Sequence, residues 1–233
     1  SAASDVYKRQ VIAMASYPTF DPTAFIGGIG AETWEDLTSD ESHNPLTNRV
    51  IAGLYPAAST IKAFSAISAL EYGIATPETG YNCAGKWKGF GEAWFKWCWL
   101  HSGHGGQNIR TGIINSCDSV FYSIAKDFWN SNEPEGLQHT FRDWGLGSKT
   151  GIDLPGEQAG RIPDAEWKAE YFKNYPPEDR QWRAGDTTNI VIGQGDVLVT
   201  PLQMAHAFCA LNNNGKLIKP RLLSKVLAQG DNK

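Results

Sequence analysis

The chain has 233 residues, of which 41% are hydrophobic and 20% charged, with 24 Gly, 12 Pro and 9 Trp. A chain of this length buries roughly 70 to 75% of the surface it exposes when unfolded, and this composition excludes a disordered tail, a collagen-like repeat and a coiled coil. Lys and Arg number 21 against 25 Asp and Glu, a net charge of -4 with no block of like charge, so the sequence carries no phosphate-backbone footprint and nucleic acid is not an expected partner.

Residues 1–10 are polar and unpatterned, and Val11 to Ser16 then reads abruptly as a strand, as though an upstream portion preceded it. Tyr17 to Pro22 is rich in turn formers, and the acidic stretch from Glu32 to Glu41 has no sustained apolar stripe, which predicts a solvated connection. The first strong helical signal follows Pro56-Ala57-Ala58-Ser59. Ile61, Phe64, Ile67 and Leu70 recur every three residues and Gly73 supplies a stop, so Ser59 falls at a helix N-terminus. Between Cys83 and Gly106 lie four Trp and six Gly, too irregular a pattern for helix or regular strand. A folded, aromatic-packed loop is expected there, with the Trp residues packing rather than binding glycan.

Residues 109–129 read as two helices around Asn115-Ser116-Cys117-Asp118-Ser119, the second carrying Val120, Phe121, Ile124, Ala125 and Phe128 on one stripe. Another helix is predicted from Leu137 to about Trp144. Thr200-Pro201-Leu202-Gln203 combines an N-cap Thr, Pro at the first helical position and Gln at the third, a capping box, and predicts a helix to about Leu211. Asn212-Asn213-Asn214-Gly215 then turns into a strand-like stretch from Lys216 to Leu227. No repeat or low-complexity segment interrupts the chain, and a single mixed domain over 11–233 is the expected organisation, with 1–10 a separate N-terminal segment.

Ser59 and Lys62 stand three residues apart on one face of a first helical turn, within hydrogen-bonding reach. A serine hydroxyl is a poor nucleophile at neutral pH unless a base takes its proton, and a neighbouring amine supplies that base. The same residues would equally suit an N-cap serine and a solvated lysine, so the pair alone is a weak signal.

Its context is stronger. Asn44-Pro45-Leu46-Thr47-Asn48-Arg49, Gly53-Leu54-Tyr55-Pro56 and Ser59-Thr60-Ile61-Lys62 closely resemble the first active-site region of class B penicillin-binding proteins, and Ser116-Cys117-Asp118 resembles their second motif in the S-x-D form of the elongation-type group. Thr150 to Glu157, and Gly185-Asp186-Thr187 through Ile192-Gly193-Gln194-Gly195 to Thr200–Ala205, resemble two further blocks in the expected order. The resemblance spans about residues 11 to 220. It implies the mixed α/β transpeptidase fold of serine penicillin-recognising enzymes, helices on an antiparallel sheet, here incomplete.

The implied activity is D,D-transpeptidation of peptidoglycan stem peptides, without a catalytic cofactor. Ser59 would be the acylated nucleophile, Lys62 its base, Ser116 a proton relay, and Asp118 a polar contact to Lys62 and the substrate amide. The Ser59 backbone N–H is a candidate oxyanion donor. β-Lactams would be covalent inhibitors, cell-wall elongation proteins the partners, and the bacterial membrane the location, with the catalytic part extracytoplasmic and the anchor outside this chain. No run here reaches the roughly 18 apolar residues of a membrane span, and the start does not read as a signal peptide. A serine β-lactamase, a D,D-carboxypeptidase and a β-lactam sensor remain as alternatives.

Two departures stand out. Ala58 occupies a position where the family commonly has Gly, and the third motif, K-[ST]-G, does not follow the Thr200 helix within this chain. Lys149-Thr150-Gly151 is not a substitute, because it precedes that helix, is flanked by turn formers and belongs to another block.

Cys83, Cys98, His104 and Cys117 form C-x14-C-x5-H-x12-C, the ligand types of a closed structural zinc site without a diagnostic short knuckle. The layout is similar to that of some elongation-type relatives, which the resemblance implies place metal ligands in this region. A Cys83–Cys98 disulfide closing a loop of about 15 residues, worth roughly 3 kcal/mol, is the competing reading, and free thiols the third. His43, His101, His139 and His206 have no evident partner and are expected as surface or core residues.

Overall fold

The computed structural model describes residues 2–4, 10–39 and 41–223. In chain order the elements are strands β1 (Ala2–Ser4) and β2 (Val11–Met14), helices α1 (Ala31–Thr38) and α2 (Lys62–Glu71), strands β3 (Tyr81–Cys83), β4 (Lys86–Trp87), β5 (Lys96–Trp97) and β6 (Gly105–Gln107), then helices α3 (Ile109–Ile114), α4 (Asp118–Trp129), α5 (Gly136–Asp143), α6 (Ala165–Tyr171), α7 (Pro177–Arg180), α8 (Ala184–Ile190) and α9 (Pro201–Leu211). The result is mixed α/β, and the sheets are minimal: β1 with β2, β3 with β6 and β4 with β5, each an antiparallel pair. Among the described residues, no helix is long and apolar enough to cross a membrane.

The chain divides into two compact units. One comprises residues up to Tyr55, Ser148–Gly160 and Val199 onward; the other comprises Pro56–Gly147 and Arg161–Leu198. In the first unit, Val11, Val50, Ile51, Ile152 and Leu202 form a buried apolar cluster. The predicted capping box is present: the Thr200 hydroxyl accepts from the Gln203 backbone N–H, and the Gln203 carbonyl oxygen accepts from the Thr200 N–H. The Gln203 amide then donates to the Ser148 and Ala159 carbonyls, both at 2.6 Å, so one cap residue also anchors a distant loop. In that loop the buried Glu157 carboxylate accepts from the Thr150 N–H, the Thr150 hydroxyl and the Gly151 N–H, which satisfies a group otherwise costly to bury. Lys149-Thr150-Gly151 is therefore a loop segment, as its flanking turn formers predict.

Three expectations of secondary structure are corrected. The acidic stretch expected as a connection contains α1, a helix with no buried residue, whose few apolar side chains, Trp34 and Leu37, are too sparse to mark a stripe. The segment from Lys216 onward contains no strand through residue 223, only a single bridge from Arg221 to Gln10; the remainder of the predicted strand lies outside the described residues. In the Trp-rich segment the irregular pattern conceals β3 to β6, strands of two or three residues, too short to show alternation.

The second unit is built on α2, α4 and α5, with α8 against α4. All five residues of the α4 stripe are fully buried. On α2 the buried face differs from the expected one: Leu70 is exposed, whereas Phe64, Ser65, Ser68 and Ala69 are buried. Small residues let the neighbouring backbone approach, and the two hydroxyls are satisfied by it, Ser65 donating to the Val191 carbonyl at 2.7 Å and Ser68 to that of Gly136 at 3.0 Å.

Candidate active site

The turn carrying Ser59 is a 3-10 segment, Ala58–Ile61, that runs directly into α2, with the Lys62 backbone N–H donating to the Ser59 carbonyl. Ala58 has φ 48°, the left-handed region that L residues other than Gly adopt at a cost of about 1–2 kcal/mol. Its N–H donates to the Gly193 carbonyl at 2.9 Å, which holds it there. Gly193 is positioned so closely that a Cβ on it would lie 2.5 Å from the Ala58 carbonyl oxygen. The close backbone approach thus occurs with Ala at 58, and the glycine that permits it stands at 193. Ser59 itself is exposed.

Lys62 is 2% exposed and all three of its ammonium protons are used. It donates to the Ser116 carbonyl at 2.9 Å, the Ser116 hydroxyl at 3.0 Å and Asp118 Oδ1 at 2.6 Å. Asp118 lies in the first turn of α4, where the helix dipole favours a carboxylate. Ser116 has φ 47° in the sharp turn joining α3 to α4, which directs both its oxygen atoms at one amine. The four residues singled out in the sequence are thus positioned by one unit, with Lys62 as the hub to Ser116 and Asp118.

The cysteine cluster converges as well. The ligand atoms of Cys83, Cys98, His104 and Cys117 all lie within 4.8 Å of one another, and His104 Nδ1 is 3.6 Å from the Sγ atoms of both Cys83 and Cys98. The edges of a zinc tetrahedron with sulfur and nitrogen ligands are about 3.5 to 3.8 Å, which the two His104–cysteine separations match, and all four donors are of the types that such an ion takes. Among the described residues, no disulfide joins Cys83, Cys98 or Cys117. Burial pushes the Cys83 thiol up, but the polar groups of Ser119, His104 and Gly85 around it outweigh that and bring it down to about 6. Burial pushes Cys117 up to about 12, its neighbours Cys83 and Cys98 adding to the effect. His206 is buried with Nε2 facing the Ile218 carbonyl at 2.9 Å, the ring of His101 packs on Trp97, and His139 is exposed on α5.

Sequence reasoning missed several residues around this site. Lys96 reaches Asn189 Oδ1 at 2.5 Å, and Trp99 contacts the second serine motif through two hydrogen bonds. Gly193 lay within a quoted block, Ile192-Gly193-Gln194-Gly195, but its role depends on a backbone more than a hundred residues away. The Trp-rich segment packs Trp87 against Phe90, Trp94 and Tyr122, as expected of an aromatic loop.

A buried lysine shared by a serine and a carboxylate stands one turn along from an exposed serine, the residue types that serine acyl transfer requires. The comparisons place the chain more narrowly. The penicillin binding protein transpeptidase domain model matches residues 2–233, and the chain belongs to that family. The peptidoglycan D,D-transpeptidase MrdA of Salmonella typhimurium is 38% identical over 219 residues, which are 94% of this chain and 33% of that protein. MrdA of Escherichia coli K12 is 36% identical over 225 residues, again 94% of this chain and 33% of its own length. The chain therefore spans about a third of the length of these curated relatives. Among solved structures, PBP2 of Helicobacter pylori in complex with MreC superposes with a TM-score of 0.84 at 34% identity, covering 94% of this chain and 39% of that one. PBP2 of Pseudomonas aeruginosa in complex with WCK 5153 gives 0.86 at 29% identity, covering 99% and 51%.

Proposed function

We propose that this chain carries the serine and lysine half of a peptidoglycan D,D-transpeptidase site, acting on D-Ala-D-Ala stem peptides. The observation that carries the reading is the hub at Lys62, buried and shared among the Ser116 carbonyl, the Ser116 hydroxyl and Asp118. In the reaction, Ser59 Oγ bonds to the donor carbonyl carbon as its proton passes to the Lys62 amine. Collapse of the adduct breaks the bond to the terminal D-alanine, whose amine leaves with a proton passed through Ser116. An amine of a neighbouring stem peptide then attacks the ester and gives up a proton, which passes through Lys62 to Ser59 Oγ as the acyl–oxygen bond breaks, forming the cross-link and restoring Ser59. A neutral amine keeps two N–H donors and one lone pair. Lys62 in that state retains its carbonyl and carboxylate contacts and offers its lone pair to the Ser59 proton; the ammonium so formed then donates to the Ser116 hydroxyl, the contact seen in the structure. That exchange is what a relay requires.

The same reading takes β-lactams as donor mimics that remain on Ser59, elongation proteins as partners, and a membrane-anchored, extracytoplasmic setting in bacteria. The supporting comparisons are the relatives named D,D-transpeptidase and the PBP2 structure solved with MreC. The Cys83, Cys98, His104 and Cys117 set would hold a structural zinc ion. Four protein ligands leave no open position, so the ion would supply no catalytic chemistry and would tie the Trp-rich segment to the start of α4.

Intact-mass analysis after incubation with benzylpenicillin tests the function, using this chain and a full-length protein containing it, each with Ser59→Ala. One persistent addition that disappears in Ser59→Ala is expected in the full-length protein. Penicillin that survives untouched there, with no adduct, would remove the assignment, and consumed penicillin without an adduct would replace it with a β-lactamase. Native mass spectrometry with added zinc tests the metal: one bound ion lost on Cys117→Ser supports it, and a Cys83–Cys98 disulfide in the purified protein rules it out.

A further inference from the structure

Trp99 is unusual for a large aromatic residue: it is 61% exposed, yet both of its N–H groups are committed to one short stretch of chain. Its backbone N–H donates to Asp118 Oδ2 at 3.1 Å, and its indole Nε1–H donates to the Asn115 carbonyl at 3.0 Å. These acceptors flank Ser116, whose φ of 47° places it in the left-handed region. A conformation of this kind is strained and persists only where the surroundings over-determine it.

The contacts divide by function. Asp118 Oδ1 faces Lys62, and the Trp99 backbone occupies the other oxygen, so the carboxylate cannot rotate without losing a bond at each end. The Asn115 carbonyl belongs to the C-cap residue of α3, where carbonyls lose their intrahelical donors, and the indole N–H supplies one. The ring is held in turn by an edge-on contact with His104, with centroids 5.3 Å apart. Lys96, three residues earlier, is half-buried and places a second positive charge near Asp118.

We propose that Trp99 is a positioning residue for the second serine motif: its two N–H groups brace Asn115 and Asp118 and so hold Ser116 and the Asp118 carboxylate toward Lys62. The inference rests on the acyl-transfer reading for its functional consequence, but the brace itself is testable without it. Two variants separate the hydrogen bond from packing. Trp99→Phe removes the indole N–H and part of the ring, and 3-benzothienylalanine at position 99 keeps the two-ring shape while replacing N–H by sulfur.

In the full-length protein, both variants are expected to slow benzylpenicillin acylation about tenfold, with the Kd of the preceding non-covalent complex within twofold of wild type and Tm nearly unchanged. Acylation within twofold of wild type in both variants overturns the proposal, as does recovery of the full rate by the benzothienyl variant alone, which would reduce Trp99 to packing. The second readout is the amide spectrum of 15N-labelled protein, in which the resonances of Ser116, Cys117 and Asp118 should move in both variants. If those three amides stay in place, the brace does not exist, whatever the rates. If Ser59-dependent acylation is absent from wild type, the proposed function fails by itself, and the amide spectrum still decides the brace.

Discussion

The start of α9 and the start of α4 are both helix N-termini with polar side chains at work, yet they are held in opposite ways. At α9, Thr200 and Gln203 cap each other within a single turn. At α4, Asp118 is held by Lys62, 56 residues earlier, and by Trp99, 19 residues earlier, while Cys117 at the cap position makes no side-chain capping bond. A local cap forms as soon as its own turn forms, whereas the α4 arrangement exists only once three separate segments have packed. Damage should therefore stay local and modest at the first, and be large and shared with function at the second.

The sharpest way to break the contrast is Asp118→Ala. It leaves the Lys62 charge buried without its counter-charge, with only Ser116 and the Phe121 ring beside it, and removing one partner of a buried pair costs about 3–5 kcal/mol. Urea unfolding should register that loss, and acylation in the full-length protein should fall by roughly 10² or more. An unchanged acylation rate would take Asp118 out of the site. Next comes Gly193→Ala, which puts a Cβ 2.5 Å from the Ala58 carbonyl oxygen at a residue with φ 70°. A loss of about 2–3 kcal/mol by urea unfolding is expected, together with slower acylation, because the displaced backbone is the one that positions Ser59.

Thr200→Ala should cost only about 1 kcal/mol, the usual value of an N-cap side chain, with acylation unaltered. A loss as large as that of Asp118→Ala would erase the distinction between the two helix starts. The smallest effect lies at His206 on the same helix. Burial lowers its pKa, against the opposing pull of the Ile218 carbonyl and Glu157. The folded state therefore binds its proton less readily than the unfolded chain does. Its contribution to stability is fully present above the ordinary histidine pKa of about 6.5 and is lost as pH falls through the lower folded value. Stability measured between pH 8 and pH 5 should decline less steeply in His206→Gln than in wild type.

The same division governs what could be read in advance. The α9 capping box, the α4 stripe, the stop at Gly73 and the position of Ser59 at a helix start were all legible, because each is written within a few residues. The α2 face was not. Its apolar spacing pointed to Leu70, but the buried positions include Ser65 and Ser68, whose hydroxyls suit the interior only because the carbonyls of Val191 and Gly136 meet them. The strands of the Trp-rich segment were hidden because two or three residues cannot display alternation. Helix α1 was hidden because it buries nothing, so no apolar stripe marks it.

The order and spacing of the motifs settled the residue types available for chemistry: a serine three positions before a lysine, a serine and a carboxylate flanking Cys117, and three cysteines and a histidine within one stretch. Packing alone decided which of them meet. Lys62 reaches Ser116 and Asp118 because α2 and α4 belong to one packed unit, Ala58 holds its left-handed turn because Gly193 has no Cβ, and Trp99 finds Asn115 and Asp118 because a loop with no periodic signal folds back on them. Side-chain type is a property of the residue, but a hydrogen bond across tens of residues depends on the loop closure and burial that bring its ends together, and no local pattern encodes those.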